Sequence, residues 1–196
     1  DVRKTDCDFY AFSGHKMYAA TGTGVLYGKK EYLEKMPPFL FGGEMVGNVS
    51  LDQTTFAPLP MKFEAGTQNF IGQTSFIQAI EFMRSLDDQE LASECRIVEQ
   101  AMRNILTENP RIRLYGTAEP KIPVFSFSVV GVPYEDLVLL LDKMGVAVRS
   151  GQMCAEPLMD RFGVTGMLRV SLAPYNTLEE VEIFGKALRK AMDMLS

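Results

Sequence analysis

Short apolar runs alternate with apolar positions at helical spacing along most of the chain. The runs are rich in aromatic and β-branched residues and predict strands over 9–12, 25–27, 113–115, 123–129, 146–148 and 168–172. The helical stretches predict helices over 29–36, 72–84, 91–106, 134–144, 158–162 and 177–194. Because strands and helices alternate, the pattern predicts an α/β or α+β fold.

Local signals indicate where several of these elements end. Pro37-Pro38 is expected to stop the first helix, because proline lacks the amide hydrogen that a helix needs. Residues 48–60 have no helical period and predict a loop with short strands or a hairpin. Thr177 is followed three residues later by Glu180, which predicts a capping box at the start of the last helix.

Composition and charge are those of an ordinary folded protein. The 196 residues are 46% hydrophobic and 23% charged, and this length suits one domain or a small pair. The interruption Ser85-Leu86-Asp87-Asp88 predicts a domain boundary near Leu86. The net charge is −5 and basic residues are scattered, which argues against a surface for nucleic acid or anionic membrane.

The cysteines and the single histidine limit the chemistry that the chain can perform. Cys7, Cys95 and Cys154 form no Cys-x-x-Cys pair, and His15 is the one histidine. A disulfide framework, a zinc site and a histidine-based metal site are therefore excluded. No apolar run is long enough to span a bilayer, and the first residues contain no apolar signal core. These features predict a reducing, cytoplasmic compartment.

The stretch from Phe9 to Lys16 carries the first candidate for chemistry. Phe9-Tyr10-Ala11-Phe12 is expected to be a buried strand, and Ser13-Gly14 is expected to turn the chain before His15 and Lys16. Desolvation at the end of a buried strand lowers the pKa of an amine and makes it a nucleophile toward an aldehyde. The alternative is that Lys16 is a solvated surface lysine, which is the commoner case.

A second candidate is the turn before the helix predicted over 72–84. Gly66 and Thr67 can offer a backbone amide and a hydroxyl to an anion at this helix start. The alternative is that Thr67 or Asn69 simply caps the helix.

Two further candidates lie in the last third of the chain. Cys154 follows a predicted strand end, and Arg149 nearby would favour the thiolate, which is the reactive form. The alternative is a small buried thiol. Arg169 lies inside the predicted strand 168–172, where it either faces outward or pairs with an anionic group such as a carboxylate.

Four motifs, in this order and spacing, resemble the group II (SufS-type) cysteine desulfurases of the class V aminotransferase family. These enzymes use pyridoxal phosphate, and the resemblance covers essentially the whole chain. The short loop at Cys154 is similar to group II rather than to group I, whose loop is longer. The motifs are Asp8 to Lys16 with Thr21 to Tyr27, Phe63 to Thr67, Val148 to Met159, and Leu168 to Thr177.

The resemblance implies an architecture. It implies an α/β protein of the fold type I class of pyridoxal phosphate enzymes. Residues 1–86 would be the C-terminal part of the large cofactor-binding domain, and 87–196 the small C-terminal domain, entered by a long linking helix. The family's N-terminal half, before its lysine, has no counterpart here. The chain is therefore expected to be the C-terminal part of a desulfurase.

The resemblance also implies a cofactor site. Lys16 would bind pyridoxal phosphate covalently and move protons at the substrate Cα. Ser13 and His15 would hold the cofactor phosphate. Thr67 would reach the phosphate of the partner subunit's cofactor, so the active enzyme would be a homodimer.

The substrate side of the implied site lies in the second half of the chain. Arg169 would clamp the α-carboxylate of L-cysteine, and Arg149 would line the substrate pocket. Cys154 would attack the substrate sulfur, become a persulfide and release alanine. The persulfide would pass to a SufE- or SufU-like acceptor protein for iron–sulfur cluster assembly.

The chain departs from the family pattern at several positions. Gln152 and Met153 stand where histidines are common, and neither can act as an acid or a base. Gln68 replaces a common proline. Asp6 and Asp8 match no motif for the aspartate that pairs with the cofactor's pyridine nitrogen.

These departures leave three interpretations of function. The first is a cysteine desulfurase, of which this chain alone binds the cofactor weakly or not at all and is inactive. The second is a selenocysteine lyase of the same family. The third is a non-catalytic module that dimerises or docks an acceptor protein.

Overall fold

The computed structural model describes residues 1–86 and 89–196, and these form two compact units, Asp1–Ser85 and Leu86–Ser196. The predicted interruption at Ser85-Leu86-Asp87-Asp88 includes Asp87 and Asp88, which lie outside the described residues. The helices are α1 (Val2–Thr5), α2 (Lys30–Lys35), α3 (Phe70–Ser85), α4 (Gln89–Glu108), α5 (Tyr134–Lys143), α6 (Glu156–Phe162) and α7 (Leu178–Met194). The strands are β1 (Phe9–Ser13), β2 (Gly24–Gly28), β3 (Val46–Val49), β4 (Thr54–Phe56), β5 (Ile112–Tyr115), β6 (Val124–Val129), β7 (Arg149–Gly151) and β8 (Met167–Ser171). None of these helices is long and apolar enough to cross a membrane.

The first unit contains two separate antiparallel strand pairs. Strand β1 pairs with β2 from Phe9 opposite Gly28 to Ser13 opposite Gly24. Strands β3 and β4 form a second pair with an irregular register. The predicted strands at 9–12 and 25–27 and the hairpin within 48–60 are therefore confirmed.

The prediction that the strand before Lys16 is buried was wrong. Phe9, Tyr10 and Phe12 are 43%, 52% and 37% exposed. Within the described chain β1 pairs only with β2, and a two-stranded sheet has too few neighbours to cover both of its faces.

Helix α3 is longer than predicted and buries a different face. It begins at Phe70, and its buried residues are Gly72 and Ala79. Ile80 and Met83, which fit the helical spacing, are 41% and 44% exposed. The periodicity therefore predicted the helix correctly, but it did not predict which face of α3 packs against other parts of the chain.

The second unit is built on a four-stranded antiparallel sheet with the order β5-β6-β8-β7. Alternate residues of β6 and β8 point to a core shared with α4, α5 and α7. Thr177 and Glu180 form the predicted capping box at the start of α7. The core side chains include Val98, Met102, Leu106, Phe125, Phe127, Val129, Leu137, Leu141, Leu168, Val170, Val181, Phe184 and Leu188.

The predicted strand at 146–148 was wrong by three residues. Pairing with β8 falls on Arg149–Gly151 instead. Val146 donates its amide to the carbonyl of Leu141 at 2.9 Å, so this segment still follows the end of α5. Val146 and Val148 pack against the core without joining the sheet, which explains their apolar character.

Candidate functional site

A short 3₁₀ turn, Gly14–Met17, follows β1 and carries two of the predicted site residues, and a third ends β1. Ser13 is half-buried at the strand end, and His15 and Lys16 are exposed. In the described part of the chain, the Lys16 amine has no hydrogen bond or ion pair. The strand end and the turn therefore bring a hydroxyl, an imidazole and an amine close together in sequence. Lys16 is exposed, so the predicted desolvation of its amine was wrong for this chain, and the alternative of a solvated lysine describes it.

Close packing fixes this turn on helix α3. Gly14 is buried and donates its amide to the carbonyl of Thr23 at 2.9 Å. A Cβ at position 14 would overlap the Thr23 hydroxyl and lie 3.0 Å from the ring of Phe76 on α3, so only glycine fits here. Ala20 donates its amide to the Ser75 hydroxyl at 2.8 Å, which ties the exit of the turn to the same helix.

Thr67 lies in the segment that leads into α3, in the same unit as Lys16. Asn69 accepts the amide of Gly72 at 3.0 Å, so Asn69 and not Thr67 caps the helix. Gly66, with φ of +77°, donates its amide to the carbonyl of Gly43 at 2.9 Å and fixes the turn. Thr67 is exposed, and no described group forms a hydrogen bond with its hydroxyl. Its role toward an anion stays a prediction.

Asp6 and Asp8 are both engaged by one lysine. Lys29 pairs with Asp8 at 2.8 Å and with Asp6 at 3.0 Å. The hydrogen bonds that Lys29 donates to these carboxylates, first Asp8 and then Asp6, raise the pKa of Lys29 above its ordinary value. This pairing gives the two aspartates a structural role at the entry of β1.

In the second unit the sheet register brings two predicted arginines together. Arg149 on β7 and Ser126 on β6 both lie opposite Arg169 on β8. Side chains directly opposite on neighbouring strands share a face of the sheet, with Cβ atoms about 4.5–5.5 Å apart. Two like charges in this arrangement repel each other, so the pair favours an anion between them.

Arg169 has an unsatisfied donor that fits such an anion. Its Nε is buried, and in the described residues it has no hydrogen-bond partner. A buried guanidinium nitrogen without a partner is costly, because the group has lost its water. The fork of an arginine matches a carboxylate, which is the group predicted for this position.

Ser126 is a further member of this row, and it was not predicted from the sequence. The signal was the alternation in β6, where Phe125 and Phe127 are buried and Ser126 between them points to the other face. The alternation does not tell which residue of β8 lies opposite Ser126, and only the structure shows that this residue is Arg169.

Cys154 lies in a tight turn between β7 and α6. The turn runs from Gln152 to Ala155 and is closed by the Ala155 amide, which donates to the Gln152 carbonyl at 3.0 Å. Met153 and Cys154, at the centre, have φ angles of 54° and 61°. Cys154 is exposed, so the alternative of a buried thiol does not hold. Cys7 and Cys95 are only partly exposed.

Comparison with known proteins shows which family the chain belongs to. Residues 1–184 match the family model described as aminotransferase class-V. The chain belongs to this family. Enzymes of the class V aminotransferase family use pyridoxal phosphate as their cofactor.

Several of the proteins that resemble the chain are named cysteine desulfurases. A "probable cysteine desulfurase" of Vibrio cholerae is 48% identical over 195 residues, which are 100% of this chain and 48% of that protein. A crystal structure of the cysteine desulfurase CsdA from Escherichia coli aligns with a TM-score of 0.92 at 42% identity, over 100% of this chain and 49% of that one. The apo structure of a cysteine desulfurase from Thermococcus onnurineus aligns with a TM-score of 0.89 at 33% identity, over 98% and 49% of the two chains.

These matches confirm the predicted resemblance and the α/β class. The chain spans about half the length of the relatives it matches. The groups at the end of β1 and on the Lys16 turn fit pyridoxal phosphate, because a lysine side chain can form a bond with its aldehyde, and the Ser13 hydroxyl and His15 imidazole suit its phosphate.

Proposed function

We propose that this chain supplies part of the active site of a pyridoxal phosphate-dependent cysteine desulfurase. The enzyme removes sulfur from L-cysteine, releases L-alanine and leaves a persulfide on Cys154. One observation carries the proposal. Arg169, with its unsatisfied Nε, lies opposite Arg149 on β7, and this edge strand leads directly into the turn of Cys154.

The arginine pair supports recognition of an amino acid. Arg169, whose Nε is buried and without a partner among the described residues, binds the α-carboxylate, and Arg149 on the neighbouring edge strand adds a second positive charge. Holding the carboxylate fixes the orientation of the substrate, and such positioning can supply a large part of a rate enhancement.

The Lys16 turn supports cofactor binding. When bound, pyridoxal phosphate acts as the electron sink that activates the bonds at the substrate Cα. Lys16 anchors it and moves protons at this carbon, while Ser13 and His15 hold its phosphate. The contacts of Gly14 with Thr23 and Phe76 keep these donors in place.

Cys154 performs the sulfur transfer. Its thiolate attacks the substrate sulfur, so a sulfur–sulfur bond forms and the carbon–sulfur bond breaks. The electron pair of the broken bond stays with the substrate carbon, which takes up a proton and leaves as part of alanine. The exposure of Cys154 suits the later delivery of the persulfide to a second protein.

The assembly around this chemistry is also part of the proposal. The enzyme is a group II cytoplasmic homodimer in which Thr67 reaches the phosphate of the partner subunit's cofactor. Residues 1–86 complete the large cofactor-binding domain, and residues 87–196 form the small domain. A SufE- or SufU-like acceptor receives the persulfide sulfur for iron–sulfur cluster assembly.

The test is substitution of Cys154 in the full-length protein that contains this chain. We expect Cys154→Ala to abolish alanine formation from L-cysteine while the cofactor's visible absorbance is retained, because the thiol reacts only after the cofactor is bound. Cys95→Ala, on α4, is the matched control and leaves both measurements unchanged. Loss of the cofactor in Cys154→Ala would show a structural role and contradict the proposal.

A further inference from the structure

We propose that Met153 is a positioning residue, whose packed side chain holds Cys154 in a strained turn with its thiol facing outward. The inference rests on the proposed function, because it assigns to Cys154 the role of nucleophile. It also gives a role to a position where the resembling enzymes commonly carry a histidine.

The turn around Cys154 has an unfavourable backbone. Positive φ at both central positions is the signature of a type I′ turn, which is dominated by glycine, asparagine and aspartate. Methionine and cysteine have a Cβ that disfavours this region, roughly tenfold for each residue. One backbone hydrogen bond, from the Ala155 amide to the Gln152 carbonyl, closes the turn, and the exposed Gln152 side chain donates to Glu156 at 3.0 Å. Neither bond fixes the φ angles of the two central residues, so a further interaction is needed to hold the turn in this form.

The side chain of Met153 provides that interaction. It is half-buried and packs against a small hydrophobic cluster on the same sheet face as Arg169. The cluster is centred on the buried side chains of Tyr115, Met159 and Met167. A flexible thioether fills such an irregular space well. Burying it is favourable, and this offsets the cost of the positive φ angles.

The consequence concerns the neighbouring residue. Since Met153 points into the cluster, the turn directs Cys154 to the exposed side, and Cys154 is exposed. A thioether cannot act as an acid or a base at neutral pH. The contribution of position 153 in this protein is therefore placement of the thiol.

Hydrogen exchange of the Ala155 amide in this 196-residue chain tests the placement directly, since that amide closes the turn. We expect Met153→Ala to speed the exchange of this amide about tenfold. The variant loses the packed side chain that holds the turn, while its Cβ still disfavours a positive φ angle. Met153→Leu keeps an apolar anchor of similar volume and stays within about twofold of the parent. The exchange rate of Met153→Gly is expected to lie between these two, because glycine lacks both the packed side chain and the Cβ that disfavours a positive φ angle.

Leu158→Ala is the matched control. It removes an apolar side chain from α6 that is 45% exposed and lies outside the cluster, and it leaves the Ala155 exchange unchanged. Parental exchange in Met153→Ala, or slower exchange in Met153→Gly than in the parent, would overturn the proposal.

Kinetics of the full-length protein supply the second measurement. We expect Met153→Ala to lower kcat for alanine formation about tenfold with KM unchanged, and Met153→Leu to restore kcat. Equal losses in the alanine and leucine variants would overturn the positioning role. Absence of any persulfide in the parent would instead overturn the proposed function, and the exchange result on the turn would still stand.

Discussion

The two units of the chain bury their apolar residues to very different extents. In the described residues of Asp1–Ser85, Met45 and Ala79 are the only buried hydrophobic side chains. Leu86–Ser196 has a continuous core, in which three helices cover one face of a four-stranded sheet. The first unit instead exposes large side chains such as Phe39, Phe41 and Leu51.

This difference shows what each unit depends on. The second unit contains the partners for its own apolar faces, so its structure follows from its own residues. Exposed apolar surface of this extent is typical of interaction sites. The chain spans about half the length of its relatives, and we expect the apolar surface of the first unit to be covered in the longer protein that we propose.

The difference between the two units is tested most directly with one phenylalanine from each. Phe127 is fully buried and makes an edge-on contact with Phe184 at 6.4 Å, and Phe12 is 37% exposed and makes a similar contact with Phe76 at 6.4 Å. Phe127→Ala is expected to reduce the free energy of unfolding by about 3–5 kcal/mol, because it leaves a cavity in the core. Phe12→Ala is expected to reduce it by less than about 1 kcal/mol. Urea denaturation followed by circular dichroism measures both, and equal losses would show that the two units do not differ in this way.

A smaller effect is expected at the start of α7. Thr177→Ala removes the hydroxyl that accepts the Glu180 amide at 3.2 Å, and we expect a loss of about 1 kcal/mol in the unfolding of the second unit. Thr177→Ser keeps the hydroxyl and should restore most of the loss. A loss in the serine variant as large as in alanine would mean that the cap contributes nothing.

The smallest expected effect is a difference in the pH dependence of the two units. Hydrogen bonds from Asn176 and then from the Thr177 amide lower the pKa of Glu180. The stability that ionised Glu180 contributes is therefore present above the ordinary pKa of 4.5, and it is lost as the pH falls through the lower pKa of the folded state. Lys29 has a raised pKa, so its pairing with Asp8 and Asp6 is present below 10.5 and is lost only as pH rises through the higher folded value. Glu180→Gln should flatten the acid side of the unfolding curve, and Lys29→Gln the alkaline side. The reverse assignment would contradict these pKa directions.

Elements specified by local sequence were predicted well. Thr177 and Glu180 lie three residues apart and form their cap without help from distant residues. The alternation in β6 and the periodicity of α4 likewise survive in the structure, because each has a neighbour on its apolar side.

Features that depend on distant partners were predicted poorly. The exposure of Phe9 and Phe12 depends on what lies against β1, and no periodicity contains that information. The strand at Arg149–Gly151 is set by pairing with β8 and not by the apolar run before it. The positive φ angles at Met153 and Cys154 could not be predicted, because neither residue is a glycine or an asparagine. In our proposal, packing of Met153 and not a local preference stabilises these angles.

The candidate site was predicted as a set of residue types, and the geometry was not. The motifs predicted Lys16, Cys154 and Arg169 as candidate residues, and only the sheet register placed Arg149 and Ser126 beside Arg169. The predicted desolvation of Lys16 was wrong for this chain, because the strand before it is exposed and so is the lysine itself.

The central claim is that Cys154 receives sulfur from L-cysteine. The direct measurement is peptide mass spectrometry of the full-length protein after incubation with L-cysteine, with the cysteine peptides compared before and after reduction. The account predicts a gain of one sulfur atom confined to the peptide with Cys154, which a reducing agent reverses. A gain on the Cys7 or Cys95 peptide instead, or no gain while alanine is still released, would contradict it.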